Sequence, residues 1–148
     1  MGDKKKKSTT RSDTSLKSLS DHIFFLDRAL QSYALRDALV ALGARVEMHR
    51  DNFKEDAEDV EWLPVVANKG WIILSKDQFN WIERRAIIYA NGRAFLLRQG
   101  SLPGAAQVDI ICGALRRILR ILRGTPAPFI ARIHLTGRVL VMPTEFRV

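Results

Sequence analysis

Three aspartates follow short apolar runs of the sequence, at the places where such runs would end. Asp27 directly follows IFFL, Asp51 comes shortly after ARVEMH, and Asp77 comes shortly after WIILS. Because the carboxyl ends of parallel strands meet at one edge of a sheet, we expect these carboxylates to lie close together. Glu61 lies near the start of the helical segment between the second and third runs, with Asp59 just before it. This segment can therefore add an acid to the same group.

A group of carboxylates at one sheet edge requires a cation or bound protons, because like charges repel each other. Hard divalent cations prefer such an all-oxygen environment, so the pattern predicts a metal site. Each acid taken alone also has an ordinary structural interpretation. Asp59 fits a helix N-cap, and the helix dipole favours Glu61 just behind it. Asp51 and Asp77 fit turns, and Asp27 could pair with a nearby arginine.

Several other kinds of active site are absent from the sequence. The single cysteine, Cys112, excludes a zinc–thiolate centre and an internal disulfide. No glycine-rich phosphate loop is visible, and no serine lies in a nucleophile elbow. The three histidines are scattered, and His49 is interpreted as a structural residue of the second strand rather than a base.

Apolar runs alternate with helical patterns along the chain, and this alternation predicts the elements that position the acids. Ile23–Leu26, ARVEMH, WIILS and RAFLL predict four strands, and a long helix is expected over about 104–123. FIARIHL and RVLVM flank Thr136 and Gly137 and predict a terminal hairpin. The predicted fold class is α/β, with a mostly parallel central sheet, helices on both faces and a C-terminal β-hairpin.

Apolar residues at helical spacing predict which face of each intervening helix is buried. The three predicted faces are Leu35, Ala38, Leu39 and Leu42; Trp62, Leu63, Val66 and Ala67; and Ile82, Ala86, Ile87 and Ala90.

The charge of the chain is unevenly distributed. Its 148 residues carry a net charge of +8, and half of that charge falls within residues 1–20. This Ser-, Thr- and Lys-rich stretch predicts a disordered basic tail, and residues 21–148 suffice for one domain with a single core. The net positive charge of the chain favours an anionic partner. Because no run is long enough to cross a membrane and the lone cysteine suits a reducing compartment, we expect a cytoplasmic protein.

Four motifs in order, FFLDRAL, HRDNF, EDVEWLP and GWIILSKD, resemble the PIN domain superfamily. The resemblance is closest to the compact PIN-like branch that includes VapC-type toxins of toxin–antitoxin pairs. It covers about Ile23 to Leu97, and PFIARIHLTGRVLVM is similar to the end of that branch. The resemblance implies a PIN-like domain that acts as an Mg²⁺- or Mn²⁺-dependent endoribonuclease, the toxin of a type II toxin–antitoxin pair.

The resemblance also implies roles for individual acids. By position, Asp27, Glu61 and Asp77 match the family's metal-binding acids, which activate water for attack on a phosphodiester and leave a 5′-phosphate and a 3′-hydroxyl. Asp51 is chosen as a further catalytic acid, with Asp59 as a close rival, and either could accept the proton of the attacking water. The implied partners are an RNA substrate, a cognate antitoxin and a second copy of the chain in a homodimer.

The chain departs from the family at the fourth acid. Many PIN domains carry it after the next strand, where this chain has Arg98 and Gln99. Glu83, one or two helical turns beyond Asp77, could approach the site instead. Ser75 could orient water at the metal or make an ordinary hydrogen bond at the strand end.

Basic side chains near the predicted site are candidates for guiding RNA. These are Arg28, Lys76, Arg84 and Arg85. A second basic face is predicted on the long helix, formed by Arg116, Arg117, Arg120 and Arg123. That face could contact phosphates, dock an antitoxin or simply be solvated.

Two other functions fit parts of the pattern. A phosphoacceptor receiver domain also gathers acids at strand ends, but it needs an acidic pair after the first strand and a lysine after the last core strand. This chain has one acid at the first place and no clear lysine at the second. A degenerate PIN-like module would bind RNA or protein without cutting, and the presence of Asp27, Glu61 and Asp77 argues against it.

Overall fold

The structure, a computed structural model, describes residues 18–30, 32–98 and 102–143. Within these ranges the strands are β1 (Ile23–Leu26), β2 (Arg45–Met48), β3 (Ile72–Ser75), β4 (Arg93–Leu97), β5 (Phe129–Ile133) and β6 (Val139–Val141). The helices are α1 (Tyr33–Ala41), α2 (His49–Asn52), α3 (Asp59–Asn68), α4 (Trp81–Tyr89) and α5 (Gly104–Gly124). The predicted α/β class is confirmed, because these strands form one sheet between helices.

The strands lie in the order β2-β1-β3-β4-β5-β6. The first five are parallel, and β6 pairs antiparallel with β5, which confirms the predicted terminal hairpin. β2 pairs with one side of β1, and β3 pairs with the other side. The order of the strands therefore reverses at β1, and the carboxyl ends of β1 and β3 flank the switch point of the sheet.

Alternate residues of each central strand face opposite layers of helices. Phe24 and Leu26 of β1 pack in one core with α1 and α5, whereas Phe25 packs in a second core with α3 and α4. A parallel strand that is covered on both faces needs apolar residues at successive positions, which explains the run IFFL. The predicted face of α3 is confirmed, because all four of its residues are buried.

The predicted face of α4 is wrong in part. Ile87 is fully buried, but Ile82 is 51% exposed. The buried ring of Phe79, which precedes α4, fills the core beside Ile87 and contacts Trp62 at a centroid distance of 6.4 Å. The first turn of α4 therefore has no need of an apolar residue at position 82.

The domain includes residues that precede position 21. Ser18–Asp21 forms a short 3₁₀ turn, and Leu19 is fully buried in the core with α1 and α5. Three residues that were predicted to belong to the basic tail thus lie in the domain. The rest of that predicted tail, residues 1–17, is outside the described residues, as is Gln99.

The long helix α5 is amphipathic, as predicted. Leu115, Ile118 and Leu119 are buried against the sheet, and Arg116 and Arg120 on the other side are exposed. Among residues 18–30, 32–98 and 102–143, no helix combines the length and apolar character needed to cross a membrane.

Gly92 lies just before β4, where the sheet meets α3 and α4. A Cβ atom at this position would lie 2.8 Å from Ala67 Cβ and 3.0 Å from the backbone oxygen of Ile87. Because neither neighbour can move without disturbing the packing, we expect Gly92→Ala to lower the free energy of unfolding by about 1–3 kcal/mol in urea denaturation. The control is Gly113→Ala in the exposed middle of α5, where a Cβ meets nothing within 4 Å. It should raise the free energy of unfolding by about 0.5–1 kcal/mol, and equal effects at the two positions would contradict the packing argument.

Candidate active site

The carboxyl ends of β1 and β3 meet at the switch point of the sheet. In open α/β sheets, ligands bind in the crevice outside these strand ends. Asp27 directly follows β1, and its backbone N still donates to the backbone oxygen of Leu74 on β3 at 3.2 Å. Ser75 ends β3, and Asp77 follows two residues later. The structure thus brings two of the predicted acids, Asp27 and Asp77, to the place where a site is expected.

Asp27 is buried, with 4% of its surface exposed. Its Oδ1 accepts hydrogen bonds from the backbone N atoms of Ala29 at 3.0 Å and Leu30 at 3.2 Å. Its Oδ2 accepts a hydrogen bond from Ser75 Oγ at 2.5 Å. Both carboxylate oxygens are therefore held in place by the turn after β1 and by the end of β3.

Burial raises the pKa of Asp27 from its ordinary value of 3.8 to about 7. The hydrogen bonds from Ser75 and Leu30 act in the opposite direction, and the negative charges of Asp77 and Asp59 raise the pKa further. The carboxyl group therefore changes its charge close to neutral pH. A cation beside it would favour the charged form.

The loop after β3 holds Asp77 through its own hydrogen bonds. The backbone N of Asp77 donates to Ser75 Oγ at 2.9 Å, and Asp77 Oδ1 accepts from the backbone N of Phe79 at 2.9 Å. Phe79 has a φ of +55°, which L side chains rarely adopt, while its ring is buried in the core. Such a conformation persists only where the surroundings determine it, and it often marks a functional loop.

Asp59, rather than Glu61, brings the carboxylate of α3 to the site. Asp59 lies three residues before the buried Trp62, so the two residues share the inward face of the helix. Trp62 Nε1 and Arg28 Nη2 both donate to Asp59 Oδ1, each at 3.0 Å. Glu61 is exposed, about 200° around the helix from Asp59. The family resemblance implied the metal-binding role for Glu61, whereas the spacing to Trp62 favours Asp59.

Glu83 is the fourth carboxylate at this edge. It lies in the first turn of α4, where Asn80 Oδ1 accepts from the backbone N of Glu83 at 2.9 Å and Glu83 Oε1 accepts from the backbone N of Asn80 at 2.8 Å. Partial burial raises the pKa of Glu83, the bond from Asn80 lowers it, and a hydrogen bond with Asp59 and the charge of Asp77 raise it. We call Asp27, Asp59, Asp77 and Glu83 the acidic cluster.

Asp51, the predicted additional acid, lies apart from the acidic cluster. It is exposed in α2, which leaves the end of β2. β2 is the edge strand on the far side of β1 from β3, so its carboxyl end does not join the switch point. Neither Asp51 nor Glu61 is among the charges that shift the pKa of Asp27 or Glu83.

An aromatic cluster beneath the site supports Asp59. The ring of His49 is fully buried and lies 6.2 Å from Phe25, 5.6 Å from Phe53 and 5.5 Å from Trp62 between ring centroids. Neither of its ring nitrogens has a hydrogen-bond partner among the described residues, and burial lowers its pKa. The neutral ring packs against Trp62, which in turn donates to Asp59, in agreement with a structural role for His49.

The acidic cluster suits a divalent cation by the chemistry of its donors. Carboxylate and hydroxyl oxygens are the ligands that Mg²⁺ and Mn²⁺ prefer, and burial together with neighbouring carboxylates raises the pKa of Asp27 and Glu83. In the described part of the chain, no three Asp, Glu, His or Cys side chains lie close enough together to hold a metal by themselves. Mg²⁺ commonly takes one or two carboxylates and completes its shell with water and substrate phosphate. The residues therefore fit a cation that binds together with a phosphate substrate.

Two of the predicted RNA-guiding residues make contacts within the protein. Arg28 pairs with Asp59 and also donates to the backbone oxygen of Glu55. Arg84 Nε and Nη2 donate to the backbone oxygen of Gln78, at 2.9 and 2.7 Å, and so brace the loop that carries Asp77.

The other two predicted RNA-guiding residues, Lys76 and Arg85, are also partly exposed. Lys76 is partly exposed in the loop after β3, next to Asp77. The guanidinium of Arg85 lies over the ring of Tyr89, 4.9 Å from its centroid. RNA contact by any of the four predicted residues stays a prediction.

The raised pKa of Asp27 makes the stability of the fold depend on pH. The folded state binds more protons than the unfolded state between the unfolded value of 3.8 and the folded value of about 7. The free energy of unfolding should therefore fall as the pH rises through this window. We expect Asp27→Asn to stabilise the protein by about 2–4 kcal/mol at pH 8 and to have little effect near pH 4, measured by urea denaturation at both pH values. The control is Asp56→Asn at an exposed position, which should show no such contrast, and a pH-independent effect of Asp27→Asn would contradict the argument.

Residues 23–99 match the family described as PIN like domain, and this range covers just over half of the chain. It contains every member of the acidic cluster. No curated protein and no solved structure shows significant similarity to the chain. PIN domains are generally nucleases, and they typically use divalent metals. The match and the fold together show that this chain belongs to the PIN-like domain family.

Proposed function

We propose that the chain is an Mg²⁺- or Mn²⁺-dependent endoribonuclease whose active site is the acidic cluster. The observation that carries the proposal is a buried carboxylate, Asp27, at the switch point of the sheet beside Asp77, with its pKa raised to about 7. Strongly shifted pKa values of this kind gather at functional sites. Membership of the PIN-like family supports a nuclease, and the net charge of +8 suits a polyanionic substrate.

Asp27 and Asp77 would hold the cation, with Asp59 and Glu83 close by. When bound, the cation lowers the pKa of water and offsets the charge that develops on the phosphate. The hydrogen bonds from Ser75 and the turn after β1 keep the Asp27 carboxylate oriented before the substrate arrives. A group that is oriented in advance needs no rearrangement during the reaction, and this favours the transition state.

Glu83 is our candidate for the proton acceptor. Its raised pKa makes its carboxylate a stronger base than an ordinary glutamate, and its hydrogen bonds with Asn80 fix it at the start of α4. As the water oxygen bonds to phosphorus, a carboxylate oxygen of Glu83 would take the water proton. The bond from phosphorus to the 3′ oxygen breaks, and solvent protonates the departing oxygen. The products would be a 5′-phosphate and a 3′-hydroxyl.

A module that binds RNA without cutting is the second candidate function. Two observations favour it: Arg28 already neutralises Asp59, and no three metal-binding side chains come together among the described residues. The buried carboxyl group of Asp27 is harder to explain in such a module, because RNA binding without cleavage does not require a buried carboxylate.

The test is cleavage of a mixed pool of structured and single-stranded RNA in EDTA, Mg²⁺ or Mn²⁺. We expect cutting only with metal, and a fall of at least about 100-fold in Asp27→Asn and in Asp77→Asn. Both variants should fold, as checked by circular dichroism, and Asp27→Asn should be the more stable at pH 8. RNA binding without cleavage in every metal would favour the binding module, and full cleavage by Asp27→Asn would refute the site.

Matched variants on α3 test which acid of that helix takes part. Asp59→Asn should lower cleavage by about 10–100-fold, because it removes a carboxylate next to Asp27 and Glu83. Glu61→Gln removes the same charge from the exposed face of the helix, and cleavage should be roughly unchanged. The reverse result would restore the role that the family resemblance assigned to Glu61.

We further propose that the chain acts as the toxin of a type II toxin–antitoxin pair. The motifs that resemble the VapC-type branch support this role, and the exposed arginines of α5 suit an acidic antitoxin segment. Induced expression in bacterial cells should arrest growth, and Asp27→Asn at equal expression should not. Normal growth with active enzyme would contradict the toxin role and leave the nuclease proposal intact.

A further inference from the structure

A pocket at the turn of the terminal hairpin lies outside the acidic cluster. It has a volume of about 510 Å³ and is lined by Arg98, His134, Leu135, Thr136 and Arg138. We call it the hairpin pocket. Sites of this order of volume hold small organic ligands, and a nucleotide is of suitable size.

The basic side chains of the hairpin pocket lie in a row across three neighbouring strands. The row is formed by Arg98, His134 and Arg138. The last register pairs of β4, β5 and β6 join Leu97 to Ile133 and Ile133 to Val139. Each residue of the row is the next one beyond these partners, toward the carboxyl ends of β4 and β5. Backbone hydrogen bonds continue the pairing there: Arg98 N donates to Ile133 O at 2.9 Å, and His134 N donates to Arg138 O at 2.8 Å.

The hairpin pocket and the acidic cluster lie at the same edge of the sheet. β3, β4 and β5 are parallel, so Asp77, Arg98 and His134 all follow the carboxyl ends of their strands. With neighbouring strands about 4.8 Å apart, the ends of β3 and β5 are separated by about 10 Å. Gln78 Nε2 also donates to the backbone oxygen of Leu97 at 2.9 Å, which ties the loop carrying Asp77 to the end of β4.

Among the described residues, the two arginines of the pocket have no ion-pair partner. In the parts of the chain that the structure describes, the ion pairs are Arg28–Asp59 and Arg36–Asp37, and neither involves Arg98 or Arg138. Both pocket arginines are exposed. A guanidinium group binds a phosphate through two parallel hydrogen bonds, and the Thr136 hydroxyl offers a further donor. Leu135, which is 46% exposed, offers apolar surface to a sugar or base.

We propose that the hairpin pocket binds a phosphate and its nucleotide in the RNA strand under cleavage, a few nucleotides from the scissile bond. This inference rests on the proposed nuclease function. Arg98 stands where many PIN domains carry their fourth acid, so this chain has a phosphate-binding group at a position that the family resemblance would give to a metal ligand. The pocket thus holds the strand, and the acidic cluster acts on it.

The test measures binding of a short labelled single-stranded RNA by fluorescence anisotropy, in the full chain carrying Asp27→Asn so that nothing is cut. Adding Arg98→Gln or Arg138→Gln should weaken binding about tenfold each, and each should lower the slope of log affinity against log salt by about one. The control is Arg45→Gln, which removes the same charge from an exposed residue at the start of β2, the opposite edge of the sheet. A third variant carries both pocket substitutions. If its affinity for RNA and its salt slope equal those of the Arg45→Gln control, the proposal is overturned. A failure of the parent chain to bind RNA would also overturn it.

Cleavage and competition measurements separate this proposal from the proposed function. In the chain with Asp27 intact, the pocket variants should raise KM for RNA and leave kcat nearly unchanged, because the pocket does not touch the reacting atoms. If the chain binds RNA through the pocket but never cuts it, the nuclease proposal fails, and only the RNA-binding part of the pocket proposal stands. If the chain cuts RNA and the pocket variants behave like Arg45→Gln, the pocket proposal fails alone. The pocket proposal would also be overturned if adenosine monophosphate bound through Arg98 as tightly as the RNA does. The pocket would then be a site for a free nucleotide.

Discussion

The hydrogen bond from Ser75 to Asp27 joins the ends of the two central strands and fixes a carboxylate where water solvates it poorly. It forms only when β1 and β3 pair in the observed register, with Leu26 opposite Leu74. A slip of one residue would turn the side chains of the strand to the other face and remove the bond. The apolar packing on both faces of the sheet therefore determines the position of a charged group as well as the core.

Along this edge of the sheet, the charge of the side chains changes from negative to positive. Asp27 and Glu83 carry raised pKa values, and Arg28 compensates Asp59 at the margin. At the ends of the next strands, the hairpin pocket carries two arginines that have no acidic partner among the described residues. A polyanion that approaches this edge meets attraction at one end and repulsion at the other, so its orientation is selected before any specific contact forms.

The sequence predicted the central strands well because most of them are short apolar runs that end at a polar residue, as Ile23–Leu26 does before Asp27. It was less informative about which side of a helix faces the site. Glu61 and Asp59 are two residues apart, and only the burial of Trp62 decides between them. The hairpin pocket was beyond sequence reasoning, because Arg98 and Arg138 become neighbours only through the register of β4, β5 and β6.

The acidic cluster is assembled from four separate segments: the end of β1, the start of α3, the loop after β3 and the start of α4. Ser75 and Asp27 are 48 residues apart in the chain, and parallel pairing of this kind forms slowly because a long loop must close first. No fragment that ends before α4 contains all four acids. In a growing chain on the ribosome, the local turns and helices before α4 can therefore form before the four carboxylates come together.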